Sequence, residues 1–301
     1  MFWNVPHLFS PFGGGLGRVL ADPGGPLWLL PHIDVSPEVL FTIPGINFPV
    51  TNTLIAAYVA MILVSALFIA ATRKMNIVPK GLQNFVEWAA GLLADFCEEV
   101  AGKQLGKRLF PFVGTIFFLV LFSNWVEVIP GIDSIGTPNP TPGTQLHPFL
   151  GIFLFGDDSN KLVPWIRPAS SDLNFTLTLA LISVIVTQIY GFRTLGFRLH
   201  VGKYLTLKGP VDFFVGILEI ISEFARVISF SFRLFGNVFA GDVLLVVLGT
   251  LLPFVGPIVF YPLELFVGFI QAFVFAALTL VFISLATTAH GDHEEPSKAH
   301  S

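Results

Sequence analysis

Five long apolar segments constrain this chain more than any other feature of its sequence. At 1.5 Å per residue, a helix needs about 20 apolar residues to cross the roughly 30 Å hydrocarbon core of a bilayer. The segments are 51–72, 110–129, 173–192, 215–252 and 257–288. With 53% hydrophobic and 12% charged residues, and a mean hydropathy of +0.77, the whole chain is typical of an integral membrane protein.

The charged and metal-binding residue types exclude several classes of protein. Sixteen basic and 20 acidic residues give a net charge of −4, so the chain is not a basic nucleic-acid binder. Its single cysteine, Cys97, cannot form an intramolecular disulfide, and no Cys/His spacing predicts a zinc site. His290, His293 and His300 lack a ligand spacing as well, so we expect neither a metal nor another cofactor.

The last two segments are too long to cross a bilayer upright. They would extend roughly 57 and 48 Å as helices, and Pro253 and Pro257 between them should turn the chain. We therefore expect an all-α membrane protein of about five membrane-embedded helices, whose last two form a long, strongly tilted hairpin. Segment 81–102 is predicted to be an interfacial amphipathic helix. Its apolar face comprises Phe85, Trp88, Ala89, Leu92, Leu93, Phe96, Cys97 and Val100.

The distribution of lysine and arginine predicts the orientation in the membrane. Loop 73–108 holds six basic residues and loop 193–208 holds four, whereas loop 130–172 holds two and residues 1–50 hold one. Because short cytoplasmic loops are enriched in Lys and Arg, residues 1–50 and loop 130–172 should lie outside. The C-terminal tail, 290–301, should be cytoplasmic and flexible.

Seven charged residues fall within the predicted spans: Glu127, Glu219, Glu223, Arg226, Arg233, Asp242 and Glu264. Five of them lie between 219 and 242. At about 2.5–3.5 kcal/mol each they cost about 12–17 kcal/mol to insert, whereas the 17 Leu, Ile, Phe and Val residues of 219–248 return about 5–10 kcal/mol. This segment therefore requires a polar cavity, internal pairing or a partner that supplies opposite charges.

The polar residues of this segment form one stripe on a helix. They are spaced by 3, 4, 3, 4 and 4 residues: Glu219, Ser222, Arg226, Ser229, Arg233 and Asn237. Two arginines and one glutamate make the stripe net positive, so it is suited to face carboxylates. Glu223 could form an ordinary intrahelical ion pair with Arg226, but Arg233 has no acidic residue three or four positions away.

These residues carry a family resemblance. Arg233-Leu234-Phe235-Gly236-Asn237 resembles the signature of subunit a of the F-type ATP synthase, and its other landmarks follow in the expected order over about residues 50–289. Those landmarks are Ser123-Asn124 with Glu127, Pro168 followed by Asp172-Leu173-Asn174-Phe175-Thr176, and Glu264 with Gln271-Ala272-Phe273-Val274-Phe275.

The resemblance implies roles for individual residues. Arg233 matches the essential arginine that faces the carboxylates of the c-ring, and Asn237 matches its neighbour. The remaining matched positions belong to a proton path: Glu219, Asp242, Glu264, Glu127, Ser222, Arg226, Ser229 and Gln271. We expect Glu219, Asp242 and Glu264 to line the outer of two aqueous half-channels, with Glu127 at its mouth.

The implied partners are the c-subunit ring, the peripheral-stalk b subunits and the lipid bilayer. The chain would move H⁺ or Na⁺ without being an enzyme on its own, in a bacterial inner membrane by default. A self-contained secondary transporter is the alternative, but it predicts two related halves, which the sequence does not contain. A membrane enzyme would need a nucleophile, a metal cluster or a convergent acid–base pair, and none stands out.

Overall fold

The computed structural model describes residues 37–43, 45, 47–129, 132, 135–138, 162–196, 210–252 and 255–287. Their elements are β1 (Val39–Ile43), β2 (Phe48–Thr51), α1 (Asn52–Thr72), α2 (Leu82–Ala101), α3 (Lys103–Glu127), β3 (Gly136–Pro138), β4 (Leu162–Pro164), a 3₁₀ turn (Ala169–Ser171), α4 (Leu173–Leu195), α5 (Pro210–Leu251) and α6 (Val255–Thr287). The predicted helical membrane fold is confirmed. The antiparallel pairs β1–β2 and β3–β4 are additions that the sequence did not predict.

Four helices in the described part of the chain are long and apolar enough to cross a membrane, namely α1, α3, α4 and α6. α5 has 42 residues, roughly 63 Å of helix. It differs from those four helices in carrying five charged residues between 219 and 242. Both α5 and α6 are longer than the bilayer is thick, so we expect them to be tilted. Their tilt relative to the membrane stays a prediction. Pro257, which we expected in the connection between the two helices, lies in the first turn of α6.

Side-chain caps fix where two of the apolar helices begin. The Thr51 hydroxyl accepts a hydrogen bond from the Leu54 amide at 3.3 Å at the start of α1. The Asp172 carboxylate accepts one from the Asn174 amide at 2.8 Å at the start of α4. Both bonds satisfy amides that lack a partner within the helix. Gly102, at φ +79°, supplies the positive φ between α2 and α3 that glycine adopts without steric cost.

The core lies where α3, α4 and α6 meet. Fully buried side chains such as Val120, Phe275, Leu280 and Ile283 fill it. α3 is buried over 61% of its apolar window, whereas α1 is buried over 17%. α1 is therefore peripheral, and most of its surface is left for lipid.

The predicted apolar face of α2 divides into two. Leu93 and Cys97 are buried in the core cluster with residues of α3. Phe85 and Trp88, with exposures of 57% and 61%, point away from the protein. A helix that packs along one edge and exposes aromatic side chains along the next is typical of a helix lying in the membrane interface.

Candidate functional site

The two arginines of the α5 stripe have different surroundings. The Arg226 guanidinium donates to both carboxylate oxygens of Glu223 at 2.9 Å, and its Cζ atom lies 4.0 Å from the centre of the Phe282 ring on α6. An ion pair and a cation–π contact thus hold the same group. Arg226 is therefore neutralised within the chain.

Arg233 is the unpaired arginine of the stripe. Its side chain is exposed, and it makes no hydrogen bond or ion pair with any other residue that the structure describes. The neighbouring Leu234 and Phe230 are buried against the bundle, so α5 is anchored while Arg233 faces outward. A guanidinium stays charged at every physiological pH. It presents a fixed positive charge on the outer surface of α5.

A cavity of about 210 Å³ opens between α3, α5 and α6, one helical turn beyond Arg233. Its polar walls are Asn124 from α3, Asn237 from α5 and Glu264 from α6. Asn124 also donates to the Gly268 carbonyl at 3.3 Å, and Trp125 donates to the Leu265 carbonyl at 3.1 Å. These two bonds join α3 to α6 beside Glu264. The cavity is large enough for several water molecules.

Glu264 lies close against the backbone of α5. A Cβ atom built on Gly241 would overlap Oε1 of Glu264, so glycine at 241 makes room for this carboxylate. Asp242, the next residue, is near enough for its charge to interact with that of Glu264. The structure therefore brings Asp242 close to Glu264, and Glu264 lines the cavity together with Asn237.

A chain of buried polar groups continues from this cavity to the start of α4. The Ser170 hydroxyl donates to Asn124 Oδ1 at 2.8 Å and lies 3.4 Å from the Ser123 hydroxyl. Two residues later, Asp172 accepts a hydrogen bond from Thr53 of α1 at 3.1 Å. All five residues are buried. Polar groups with partners thus extend from the cavity to the end of the bundle where α1 and α4 begin.

Glu219 does not join Asp242 and Glu264. Along the continuous helix α5, Glu219 and Asp242 are 23 residues apart, roughly 34 Å. The predicted grouping of these three acids in one half-channel stays a prediction, and the separation along α5 places Glu219 apart from the other two. Ser222 and Ser229 lie with Glu219 on the side of Arg233 toward the start of α5, and both are exposed.

Two further predicted residues occupy different positions. Glu127 is the last residue of α3, and its side chain lies outside the described part of the structure. Gln271 is 9% exposed, one turn beyond Gly268 on α6. Its Nε2 atom is buried without a hydrogen-bond partner among the described residues. The tail histidines 290, 293 and 300 lie outside the described residues as well.

Sequence reasoning missed the residues that act across helices. Phe282 stacks on Arg226 from α6, and Gly241 accommodates Glu264. The hydroxyls of Thr176 and Ser231 lie 3.1 Å apart and connect α4 to α5. No spacing within one helix reveals such pairs, because the partner lies tens of residues away in the chain.

The fold and this site define a helical, multi-pass membrane protein with fixed and titratable charges inside the membrane. The family model described as ATP synthase A chain matches residues 53–284. The chain belongs to this family.

Named relatives agree with that assignment. The chain is 32% identical to ATP synthase subunit a of Helicobacter hepaticus over 261 residues, which cover 85% of this chain and 99% of that protein. It is 33% identical to ATP synthase subunit a of Helicobacter pylori strain Shi470 over 238 residues, which cover 78% of this chain and 88% of that protein.

Proposed function

We propose that this chain is the stator subunit of a rotary F-type ATP synthase and that it carries ions to and from the carboxylates of a rotating c-ring. The observation that supports the proposal most strongly is the unpaired, outward-facing guanidinium of Arg233 beside a polar cavity. An exposed charge within the membrane is costly unless a partner or water meets it. A ring carboxylate is the partner of opposite charge.

Arg233 would act by controlling the charge of that carboxylate. Its positive charge favours the ionised form of a carboxylate that approaches, whereas lipid favours the protonated form. The carboxylate would therefore release its ion near Arg233 and take one up before it turned into the lipid. The same fixed charge would repel cations that passed directly from one side to the other.

The cavity at Asn237 would be the path on one side of Arg233. Glu264 lines this cavity, Asp242 lies close to Glu264, and the Asn124–Ser170 hydrogen bond continues the polar route toward the beginning of α4. By the lysine and arginine distribution, that end of the bundle faces outward. We infer that Asn237, Asp242, Glu264 and Gln271 belong to the outer half-channel, with Glu127 toward its mouth.

The path on the opposite side of Arg233 would begin at the start of α5. Glu219 lies 14 residues before Arg233, roughly 21 Å along the helix, with Ser222 one turn nearer. Arg226 and Glu223 neutralise each other between these residues and Arg233. We therefore assign Glu219, Ser222 and Ser229 to the inner half-channel, with Arg226 as a neutralised wall residue.

Partners and the transported ion follow from the same proposal. The exposed face at Arg233 would meet the c-ring, peripheral-stalk b subunits would hold the chain, and the outer surface of α1 would face lipid.

H⁺ fits a route lined by carboxylates and amides. Comparing ATP synthesis driven by a H⁺ gradient and by a Na⁺ gradient would decide between the two ions.

The experiment that tests the proposal replaces Arg233 in the assembled complex. In reconstituted vesicles we expect Arg233→Ala to abolish ATP synthesis driven by an imposed ion gradient. The matched control is the double variant Glu223→Gln/Arg226→Gln, which also removes a guanidinium from the stripe but leaves the net charge unchanged; it should retain most of the activity. Undiminished synthesis by the assembled Arg233→Ala complex would contradict the proposal.

Copurification separates the stator from a self-contained transporter. We expect the chain to be isolated with a small hairpin subunit that carries a carboxylate in the middle of the membrane. A fully active transporter purified as this chain alone would exclude the stator assignment.

A further inference from the structure

The β1–β2 hairpin carries an apolar face that no part of the described structure covers. Ile43 pairs with Phe48, and Phe41 lies two residues before Ile43 on the same face of the hairpin. The exposures of Phe41, Ile43 and Phe48 are 56%, 40% and 47%. The opposite face presents the pair Thr42 and Pro49. We refer to Phe41, Ile43 and Phe48 as the hairpin face.

The hairpin lies directly where the chain enters the membrane. β2 ends at Thr51, and Thr51 is itself the N-cap of α1. α1 is one of the helices long and apolar enough to cross a bilayer, and most of its surface is exposed. No linker separates the hairpin from this helix, so the hairpin cannot move far from the membrane surface.

Hydrogen bonds fix the hairpin to the bundle. The backbone amide of Asn52 donates to the Glu38 carbonyl at 3.1 Å. Its buried side-chain amide donates to the Glu38 carboxylate and to the Pro164 carbonyl, both at 3.3 Å. Asn52, the first residue of α1, therefore ties this helix to Glu38 just before β1 and to Pro164 of β4, which holds the hairpin in place on the bundle.

The part of α1 that follows the hairpin also exposes large apolar side chains. Tyr58 and Ile62, about two and three turns along α1, are 55% and 62% exposed. An isolated two-stranded hairpin is marginal in water and requires a covered apolar face. Its unpaired backbone edges, however, must stay hydrated, which keeps it out of the hydrocarbon. Both conditions hold together at the boundary between lipid headgroups and acyl chains.

We propose that the β1–β2 hairpin is a lipid anchor, in which Phe41, Ile43 and Phe48 insert into the interface of the leaflet where α1 begins. The anchor holds the start of α1, and with it the Asn52 and Thr53 hydrogen bonds, at a fixed depth. It rests on α1 spanning the bilayer and does not depend on the proposed ion path.

Spin labels on the two faces of the hairpin test the anchor. In the intact complex in lipid nanodiscs, Phe41→Cys and Thr42→Cys are labelled with a nitroxide in a Cys97→Ser background. Ile62→Cys on α1 serves as the reference for lipid. Collisions with lipid-soluble oxygen and with a water-soluble nickel chelate are then measured at each site. We expect oxygen to dominate at position 41 and nickel at position 42.

Other outcomes overturn the anchor. Dominant nickel collisions at both positions would place the hairpin face in water. Few collisions with either reagent at position 41 would show that protein covers this face, from residues 1–36 of the chain or from another subunit. If Phe41→Cys prevents assembly, Ile43→Cys provides the same measurement on the same face.

Discussion

Arg226 and Arg233 are the same residue type, seven positions apart on one helix, and the structure gives them opposite states. Arg226 is paired with Glu223 and stacked on Phe282, whereas Arg233 is exposed and unpaired among the described residues. The difference depends on one acidic residue three positions before Arg226. The spacing of Glu223 and Arg226 was visible in the sequence, and it offered their ion pair as one possibility. The stacking on Phe282 was not, because it comes from another helix.

The pairing predicts a double-mutant cycle with strong coupling. Glu223→Gln leaves Arg226 as a second uncompensated cation close to Arg233, so it should impair ATP synthesis. Glu223→Gln/Arg226→Gln should restore synthesis, with a coupling of about 1–3 kcal/mol between the two positions. Rates measured in vesicles for the single and double variants check this. Additive losses would show that the ion pair has no part in setting the charge of the stripe.

Cys97 offers a prediction about thiol chemistry. The residue is fully buried on α2, and burial raises the pKa of its thiol to about 11. The raised pKa keeps the thiol protonated as pH rises, so only about a thousandth is thiolate at pH 8. Maleimide labelling in the native complex should therefore be much slower at Cys97 than at Glu99→Cys, an exposed position on the same helix, in a Cys97→Ser background. Equal rates would contradict the burial.

At the scale of elements, the apolar segments predicted the helices better than they predicted how the helices meet. The predicted segment 173–192 corresponds to α4, Leu173–Leu195, but α3 begins at Lys103, seven residues before the predicted segment 110–129. The start of α3 was obscured by its basic residues Lys103, Lys107 and Arg108 and by Pro111, which lies inside the helix and normally disfavours one. The hairpins were missed because strands of three to five residues carry too little alternation to detect.

The corner between α2 and α3 gives a test of close packing. A Cβ atom on Gly106 would lie 2.5 Å from the Cys97 carbonyl oxygen, which is backbone and cannot easily move aside. Gly106→Ala should therefore destabilise the subunit by about 1–3 kcal/mol. Gly91→Ala on α2 meets nothing within 4 Å and should be neutral or stabilising by about 0.5–1 kcal/mol. Thermal unfolding of the purified complex compares them, and equal midpoints would refute the close approach.

At the scale of the whole molecule, the sequence predicted the class, the helices and the importance of the α5 stripe. It did not predict which acids share a compartment. Glu219 and Asp242 look alike as intramembrane acids, yet they lie on opposite sides of Arg233 along α5. The packing of α6 against α5 brings Asp242, and not Glu219, close to Glu264.

This separation predicts access from opposite sides of the membrane. A membrane-impermeant thiol reagent should label Leu244→Cys, in the cavity wall, from the side where α5 ends. The same reagent should label Ser222→Cys from the side where α5 begins. Sided vesicles that contain the assembled complex, in a Cys97→Ser background, provide the measurement. Labelling of both positions from one side, or of neither, would contradict two separate aqueous paths.

The most direct test of the central claim is a structure of the assembled complex that resolves the guanidinium of Arg233 and the ring. We expect the nearest ring carboxylate to lie within about 6 Å of Arg233, the range in which an opposite charge favours ionisation. We also expect no acidic group of this chain to occupy that space. An Arg233 paired with a carboxylate of its own chain, or turned into lipid away from the ring, would contradict the account.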